Sequence, residues 1–293
     1  MRYREIMKET EECLKNVGIA DASVDAWYLL QYVLEKETGQ RPDRTWYFLH
    51  QEDEMEKETS EEYMRLRELR MEHIPLQHLT HEQEFFGYSF YVNEHVLIPR
   101  QDTEILVEEA LKRVRSGMQI LDMCTGSGCI LLSVLKEVPG TVGTGVDLSA
   151  EALKVARENK ERLQSEAVFL QSDLFEEVQG SFDVIISNPP YIRTAVIEEL
   201  MPEVKDHEPR MALDGTGDGL YYYRRIVQQS QHYLKKDGWL LFEIGHDQGE
   251  DVCRLLMEAG FSEVRVIKDL AGLDRVAEGK WNRESAAGGG DGR

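Results

Sequence analysis

An α/β fold with a parallel sheet, preceded by a smaller helical region, is what this sequence predicts, and three observations carry the prediction. From residue 118 onward, short apolar runs that read as strands alternate with helical patterns, the arrangement that builds βαβ units. The first of these strands enters its helix through a glycine-rich turn, Cys124-Thr125-Gly126-Ser127-Gly128-Cys129. The fourth, Phe182-Asp183-Val184-Ile185-Ile186, is rich in β-branched residues and is stopped abruptly by Ser187-Asn188-Pro189-Pro190-Tyr191.

Residues 1–73 are expected to form a helical domain. Leu14, Val17, Trp27, Leu30, Tyr32 and Val33 recur near helical spacing, as do Tyr63, Leu66, Leu69 and Arg70 further on. The run Trp46-Tyr47-Phe48 reads as core. Residues 74–100 form a connector, in which Phe85 to Asn93 alternates and turns like a hairpin. The main domain is expected over 101–281, with Asp102 capping a helix whose first turn carries Glu104.

Met118–Asp122 is the first strand, and Ile130 to Leu135 is the buried face of the helix that follows. A glycine-rich turn between them lets a ligand approach the backbone and points helix N-terminal N–H groups at it. The next strand, Val142–Val146, ends in Asp147, placed about 20 residues beyond the glycines, where an acidic residue accepts from ribose hydroxyls. Ser149 is a sound N-cap for the helix after it. The third strand, Ala167–Gln171, leads into Ser172-Asp173-Leu174-Phe175. Asp173 can accept from an adenine amino group, with Leu174 or Phe175 against the ring. An NAD site is the obvious alternative, but its fingerprint needs a third glycine, and Leu131 stands there.

Asn188 offers a side-chain carbonyl and Pro189 a backbone carbonyl on nearly fixed torsions. Two acceptors at a strand end can grip both hydrogens of a planar –NH2 group, with Tyr191 over its face and Pro190 beside it. The plainer alternative is a strand-ending turn, since Asn-Pro commonly opens turns. Ligands of open parallel sheets bind outside the carboxyl ends of the strands, so loop, carboxylates and clamp converge. Beyond the clamp, residues 201–218 read as a long loop, a candidate substrate lip. A helix over 219–235, strand Trp239–Ile244, a further helix, a strand over 261–268 and the segment Arg275-Val276-Ala277 complete the domain. Residues 282–293 form a tail expected to be disordered.

Over 293 residues the net charge is −21, which argues against a partner dominated by nucleic-acid phosphate. Four cysteines without a C-x-x-C pair fit a reducing cytoplasm. No apolar run approaches a membrane span, the N-terminus has no apolar signal core, and no histidine motif suggests a metal.

The chain resembles class I S-adenosylmethionine-dependent methyltransferases, and within them the PrmC/HemK family. The matching segments include Ile74-Pro75-Leu76-Gln77, Glu84-Phe85-Phe86-Gly87, Val96-Leu97-Ile98-Pro99-Arg100 and Asp102-Thr103-Glu104. Further on come Asn188-Pro189-Pro190-Tyr191, Glu208-Pro209-Arg210, Glu243-Ile244-Gly245 and the stretch Asp269 to Val276. The resemblance implies a Rossmann-like, seven-stranded, mostly parallel sheet whose last strand is antiparallel. It also implies methylation, on N5, of the glutamine of the Gly-Gly-Gln motif in class-1 peptide-chain release factors, supporting translation termination. S-adenosyl-L-methionine would be the methyl donor and S-adenosyl-L-homocysteine the product. Cys124, Thr125, Gly126, Ser127, Gly128, Asp147, Asp173, Leu174 and Asn188 would then hold the cofactor, and Asn188, Pro189, Pro190 and Tyr191 the glutamine. Glu208, Arg210 and Arg100 would shape the lip or form a structural ion-pair set. The helical domain would recognise the protein substrate. Cys124 stands where the family usually has a glycine, His78 where it has tyrosine, and Gln101 where it has proline. Two alternatives remain: an amino methyltransferase of DNA or RNA bases, and a non-catalytic protein that binds release factors.

Overall fold

The computed structural model describes residues 1–282, which form two compact units; the expected disorder of the tail lies almost wholly outside the described residues. The first unit takes in residues 1–82 and, from far along the chain, 201–207. Its helices are α1 (Tyr3–Asn16), α2 (Ala22–Thr38), α3 (Arg44–His50), α4 (Lys57–Met71) and α5 (Leu76–Thr80). The predicted stripe is largely its core: Trp27, Leu30, Val33, Tyr63 and Leu66 pack together, and the Tyr63 hydroxyl donates to the Ala26 carbonyl at 3.0 Å. The aromatic run on α3 is only partly core, since Phe48 is 71 % exposed while Trp46 and Tyr47 pack inward.

The segment expected to be an open loop over 201–218 divides. Residues 201–207 belong to the helical unit, with Pro202–Lys205 helical. Glu203 accepts from Arg70 at 3.1 Å, and Arg70 also donates to Asp25 at 2.7 Å, a buried pair. His73 Nδ1 lies 3.1 Å from the same Glu203 oxygen. Burial on both sides makes this pairing expensive to break, because a lone buried charge would be left. The unit also ends at Glu82 rather than near residue 73.

The second unit covers 83–200 and resumes at Glu208. It opens with a hairpin, β1 (Glu82–Phe85) and β2 (Tyr88–Tyr91). Phe86 and Gly87 both have positive φ, 50° and 75°, the signature of a two-residue turn matched to strand twist. Then come α6 (Glu104–Arg113), β3 (Gln119–Met123), α7 (Cys129–Glu137), β4 (Val142–Asp147), α8 (Ala150–Arg162), β5 (Val168–Gln171), β6 (Phe182–Ser187), β7 (Leu234–Glu243), β8 (Ser262–Lys268) and β9 (Asp274–Trp281). Among the described residues they form a seven-stranded sheet in the order β5-β4-β3-β6-β7-β9-β8, with β9 antiparallel to both neighbours. The helix expected over 219–235 is shorter, Tyr221–Ser230, because strand β7 already begins at Leu234.

Asp102 caps nothing: it sits in a 3₁₀ turn and pairs with Arg275 at 2.9 Å. Glu104 turns back to accept from the Phe86 N–H of the hairpin at 2.8 Å. Ser149 does cap α8, accepting from Ala152 N–H at 3.1 Å.

Parallel register brings the functional strand ends level. Met123 pairs with Val146 on one side and Ser187 on the other, and Ser187 pairs with Phe242. The turns after β3, β4, β6 and β7 therefore leave the sheet along one edge, where ligands of such sheets bind.

Candidate active site

The glycine loop is held by backbone geometry and two internal anchors. Cys124, Gly126 and Gly128 all have positive φ, 62°, 54° and 80°. Gly128 caps α7, and its N–H donates to the Thr125 carbonyl at 2.8 Å. The first anchor is Asp147. One carboxylate oxygen accepts from Gly126 N–H and the other from Ser149 N–H, each at 2.9 Å, which fixes the group while leaving each oxygen a further lone pair. The second anchor is Asn159, fully buried on α8. Its amide donates to the Ser127 carbonyl at 2.9 Å and exchanges hydrogen bonds with the Tyr91 backbone at 2.7 and 3.0 Å, joining loop and hairpin.

The place of the missing third glycine has a structural answer. A Cβ on Gly143 would lie 2.8 Å from Leu131, and one on Gly145 only 2.6 Å from the Phe169 ring. Close helix–strand packing is thus achieved by Gly143 on β4 instead of by a glycine on α7, so Leu131 fits, while Gly145 makes room for the Phe169 ring of the neighbouring strand.

Beneath the loop lies Asp122, fully buried, whose carboxylate accepts from the Thr125 hydroxyl at 2.5 Å. Desolvation pushes its pKa up to about 7; the Thr125 bond opposes this and the Asp147 charge adds to it. Burial likewise raises Asp147, against its backbone donors. The Cys124 thiol is pushed well above its ordinary value, first by burial and then by the Asp147 and Asp122 charges, so it is no nucleophile at neutral pH.

A cleft of about 960 Å³ of atom-free space, open solvent at its mouth included, runs along this edge. Cys124, Thr125, Gly126, Ser127, Asp147, Asp173, Leu174, Asn188 and Pro190 line it; Gly128 is off the lining, and a Cβ there would crowd Phe169 and Leu132. Between the two residues weighed after β5, Leu174 faces the cleft. Phe175 is buried core, stacked on Tyr233 at 4.6 Å. Asp173 shares its carboxylate with Arg225 at 2.9 Å.

At the clamp, Ser187 donates to the Met123 carbonyl at 2.7 Å, tying β6 to β3 where the loop begins. Asn188 faces the cleft, and its Nδ2 lies 3.5 Å from the Thr103 hydroxyl. Tyr191 is half-buried and off the cleft lining; its phenol donates to Glu243 at 3.2 Å. Pro189 is likewise off the lining. Glu208 is buried, pairs with Arg100 and accepts from Ile98 N–H at 3.3 Å. That pair docks the proline-arginine segment on the segment after the clamp, so Arg100, Pro209, Met211 and Ala212 share one wall. Arg210 instead is exposed and pairs with Glu198 at 3.2 Å.

Comparison with known proteins agrees with this arrangement. The family model described as the methyltransferase small domain matches residues 100–206, and that of the PrmC N-terminal domain matches 5–80. A release factor glutamine methyltransferase of Geobacter sulfurreducens is 37% identical over 278 residues, 94% of this chain and 96% of that protein. One from Caulobacter vibrioides is 41% identical over 277 residues, 92% and 93% of the two chains. This chain belongs to the release factor glutamine methyltransferase family. Its fold is that of class I methyltransferases, as the crystal structure of a Pyrococcus furiosus methyltransferase illustrates. That structure matches with TM-score 0.52 at 18% identity, over 68% of this chain and 91% of the other.

Membership gives meaning to the departure at residue 124. The φ of +62° is a left-handed conformation, which explains the family's usual glycine and leaves this enzyme's cysteine strained. Sequence reasoning missed Thr103, Asn159, Tyr222 and Arg225. Each reaches the site from an element distant in sequence, and only the family segment Asp102-Thr103-Glu104 carried any signal of the first. Among the described residues, no group of three or more His, Cys, Asp or Glu is arranged to hold a metal, and no helix is long and apolar enough to cross a membrane.

Proposed function

We propose that this enzyme methylates N5 of the glutamine in the Gly-Gly-Gln motif of class-1 release factors, with S-adenosylmethionine as donor. The observation that carries the reading is that Asn188 and Pro190 line the same cleft as the glycine loop, Asp147 and Asp173. The residues fit such a cofactor: backbone N–H groups at a helix start, Asp147 with spare lone pairs for ribose hydroxyls, and Asp173 with Leu174 for an adenine ring. Cys124, Thr125, Gly126 and Ser127, on the cleft lining, would hold the cofactor, with Gly128 supporting their turn.

Bound there, the cofactor supplies an electrophilic methyl group. The protein's share is to hold a poor nucleophile still. An amide nitrogen delocalises its lone pair into the carbonyl, so orientation removes a large part of the barrier. The Asn188 side-chain carbonyl and the Pro189 backbone carbonyl accept the two amide hydrogens and favour positive charge developing on nitrogen. Pro190 borders the amide, and Tyr191, off the cleft lining with its phenol on Glu243, would reach the amide's face only if its ring turns toward the cleft. The N-alkylated amide cation is strongly acidic, so its proton passes to water without a dedicated base. Remote contacts from the helical unit would select the release factor, because one glutamine side chain offers too little area.

The test is incubation of the enzyme and labelled donor with a release factor, a Gly-Gly-Gln peptide, DNA and RNA, read by mass spectrometry. A 14 Da gain on the glutamine, about the mass of one added methylene, is expected in the release factor. Transfer to a nucleobase would support the nucleic-acid alternative, and binding without transfer the non-catalytic one.

A further inference from the structure

Two proline rings, and the limits they set on the residues before them, make Asn188-Pro189-Pro190-Tyr191 a stiff segment. A stiff segment held at one end can still tilt as a body, and a tilt moves the Asn188 side chain and the Pro189 carbonyl together. Its beginning is fixed by Ser187, bonded to the Met123 carbonyl. Its far end is held by Gln248, which directly precedes the helix Gly249–Glu258 and is only 3 % exposed. Gln248 Nε2 donates to the Tyr191 carbonyl at 3.0 Å and to the Gly219 carbonyl at 3.3 Å, while Oε1 accepts from the Gly245 N–H at 2.9 Å. All of these partners are backbone groups of fixed polarity. A carbonyl can only accept and an N–H can only donate, so the Gln248 amide fits in one orientation, with both of its hydrogens used.

Resting on the reading above, we propose that Gln248 is a positioning residue for methyl transfer, one that fixes the Tyr191 end of the clamp and docks the cleft wall of residues 209–219 against it. Gln248 is off the cleft lining and acts through the backbone it holds. That backbone is packed without slack. A Cβ on Gly219, where φ is +75°, would lie 2.5 Å from the Tyr191 carbonyl oxygen, and one on Gly215 would lie 2.7 Å from Tyr191 Cα. Past the clamp the chain pairs with the same wall. Ile192 N–H donates to the Leu213 carbonyl at 3.0 Å, Gly215 N–H to the Ile192 carbonyl at 2.8 Å and Thr194 N–H to the Thr216 carbonyl at 3.1 Å. Met211 and Ala212, just before these pairings, line the cleft. The exit of β7 thus holds Tyr191 twice, by the phenol on Glu243 and by the carbonyl on Gln248.

Gln248→Met keeps the length of the side chain and removes its hydrogen bonds. With a Gly-Gly-Gln substrate it should lower kcat about 10- to 100-fold, a typical cost of lost positioning, with cofactor Kd within about twofold of the parent. Parental kcat, or a loss confined to KM or cofactor Kd, would overturn the assignment. If Gln248→Met fails to fold, Gln248→Asn, whose amide is one methylene too short to reach Gly245 and Tyr191 together, should still lose kcat; parental kcat there overturns it. Amide hydrogen exchange, read without any substrate, separates this inference from the functional reading. In the folded variant the amides of Ile192, Thr194 and Gly215 should exchange faster than in the parent, while those of Thr125, Gly126 and Gly128 in the glycine loop keep parental rates. Unchanged exchange at the first set, or equal acceleration in both, sinks the inference whatever substrate the enzyme methylates.

Discussion

The turn after β3 and the turn after β6 lie side by side on one sheet edge, yet they are built on opposite plans. The glycine loop is made of backbone: three positive-φ residues in five positions, pinned by Asp147 and Asn159 from neighbouring elements. The clamp is made of side-chain hydrogen bonds that reach 85 residues back, from Asn188 to Thr103, and 52 forward, from Tyr191 to Glu243. A backbone site tolerates side-chain variation as long as the torsions can be reached, whereas a site built on donor and acceptor polarity fails when one hydrogen is missing. The first should govern cofactor affinity, and the second turnover.

The largest test of that division is Asn188→Ala. Removing one of two preorganised acceptors should cost about 10²–10³ in kcat while cofactor affinity, measured by calorimetry, changes only a few-fold. Turnover within a few-fold of the parent would put the reactive amide elsewhere.

The opposite dissociation belongs to Asp147→Ala. The ribose hydroxyls lose a charged acceptor worth about 1.5–3 kcal/mol, so cofactor Kd should rise roughly ten- to a hundredfold. Saturating cofactor should restore most of kcat. Unchanged calorimetric binding would mean that the ribose lies away from this carboxylate, and a loss of kcat that no cofactor concentration restores would blur the two plans into one.

The same contrast explains what the sequence disclosed. The glycine loop, Asp147, Asp173, the clamp motif and the strands that lead into them are visible because short-range pattern dictates them: glycines where φ is positive, an acid at a strand end, prolines where a strand must stop. Phe48 escaped because a seven-residue helix has too few turns for periodicity to say which face is wet. The boundary near residue 73 and the open loop over 201–218 were misread for a longer-range reason. Glu203 finds Arg70 and His73 across some 130 residues, and no local pattern announces such a pairing. Thr103 was hidden in the same way, since Asn188, the residue it approaches, lies 85 residues further on. Asp102 looked like a cap because its spacing to Glu104 allows one, but the charge of Arg275 is the stronger partner.

The smallest expected effect tests the backbone plan at its weakest point. Cys124 holds φ at +62° with a Cβ, a conformation costing roughly 1–2 kcal/mol for an L-residue. Cys124→Gly removes that strain but adds unfolded-chain entropy, which takes back about 0.5–1 kcal/mol. The net should be a melting temperature equal to or slightly above the parent's. Cys124→Val, with a branched Cβ in the same conformation, should melt several degrees lower. Because the thiol is held protonated by burial and neighbouring carboxylates, neither change removes a reacting group, and kcat at saturating cofactor should stay near parental in the glycine variant. A glycine variant that melts well below the parent would show that the sulfur's packing outweighs the torsion, and the loop would then depend on a side chain after all.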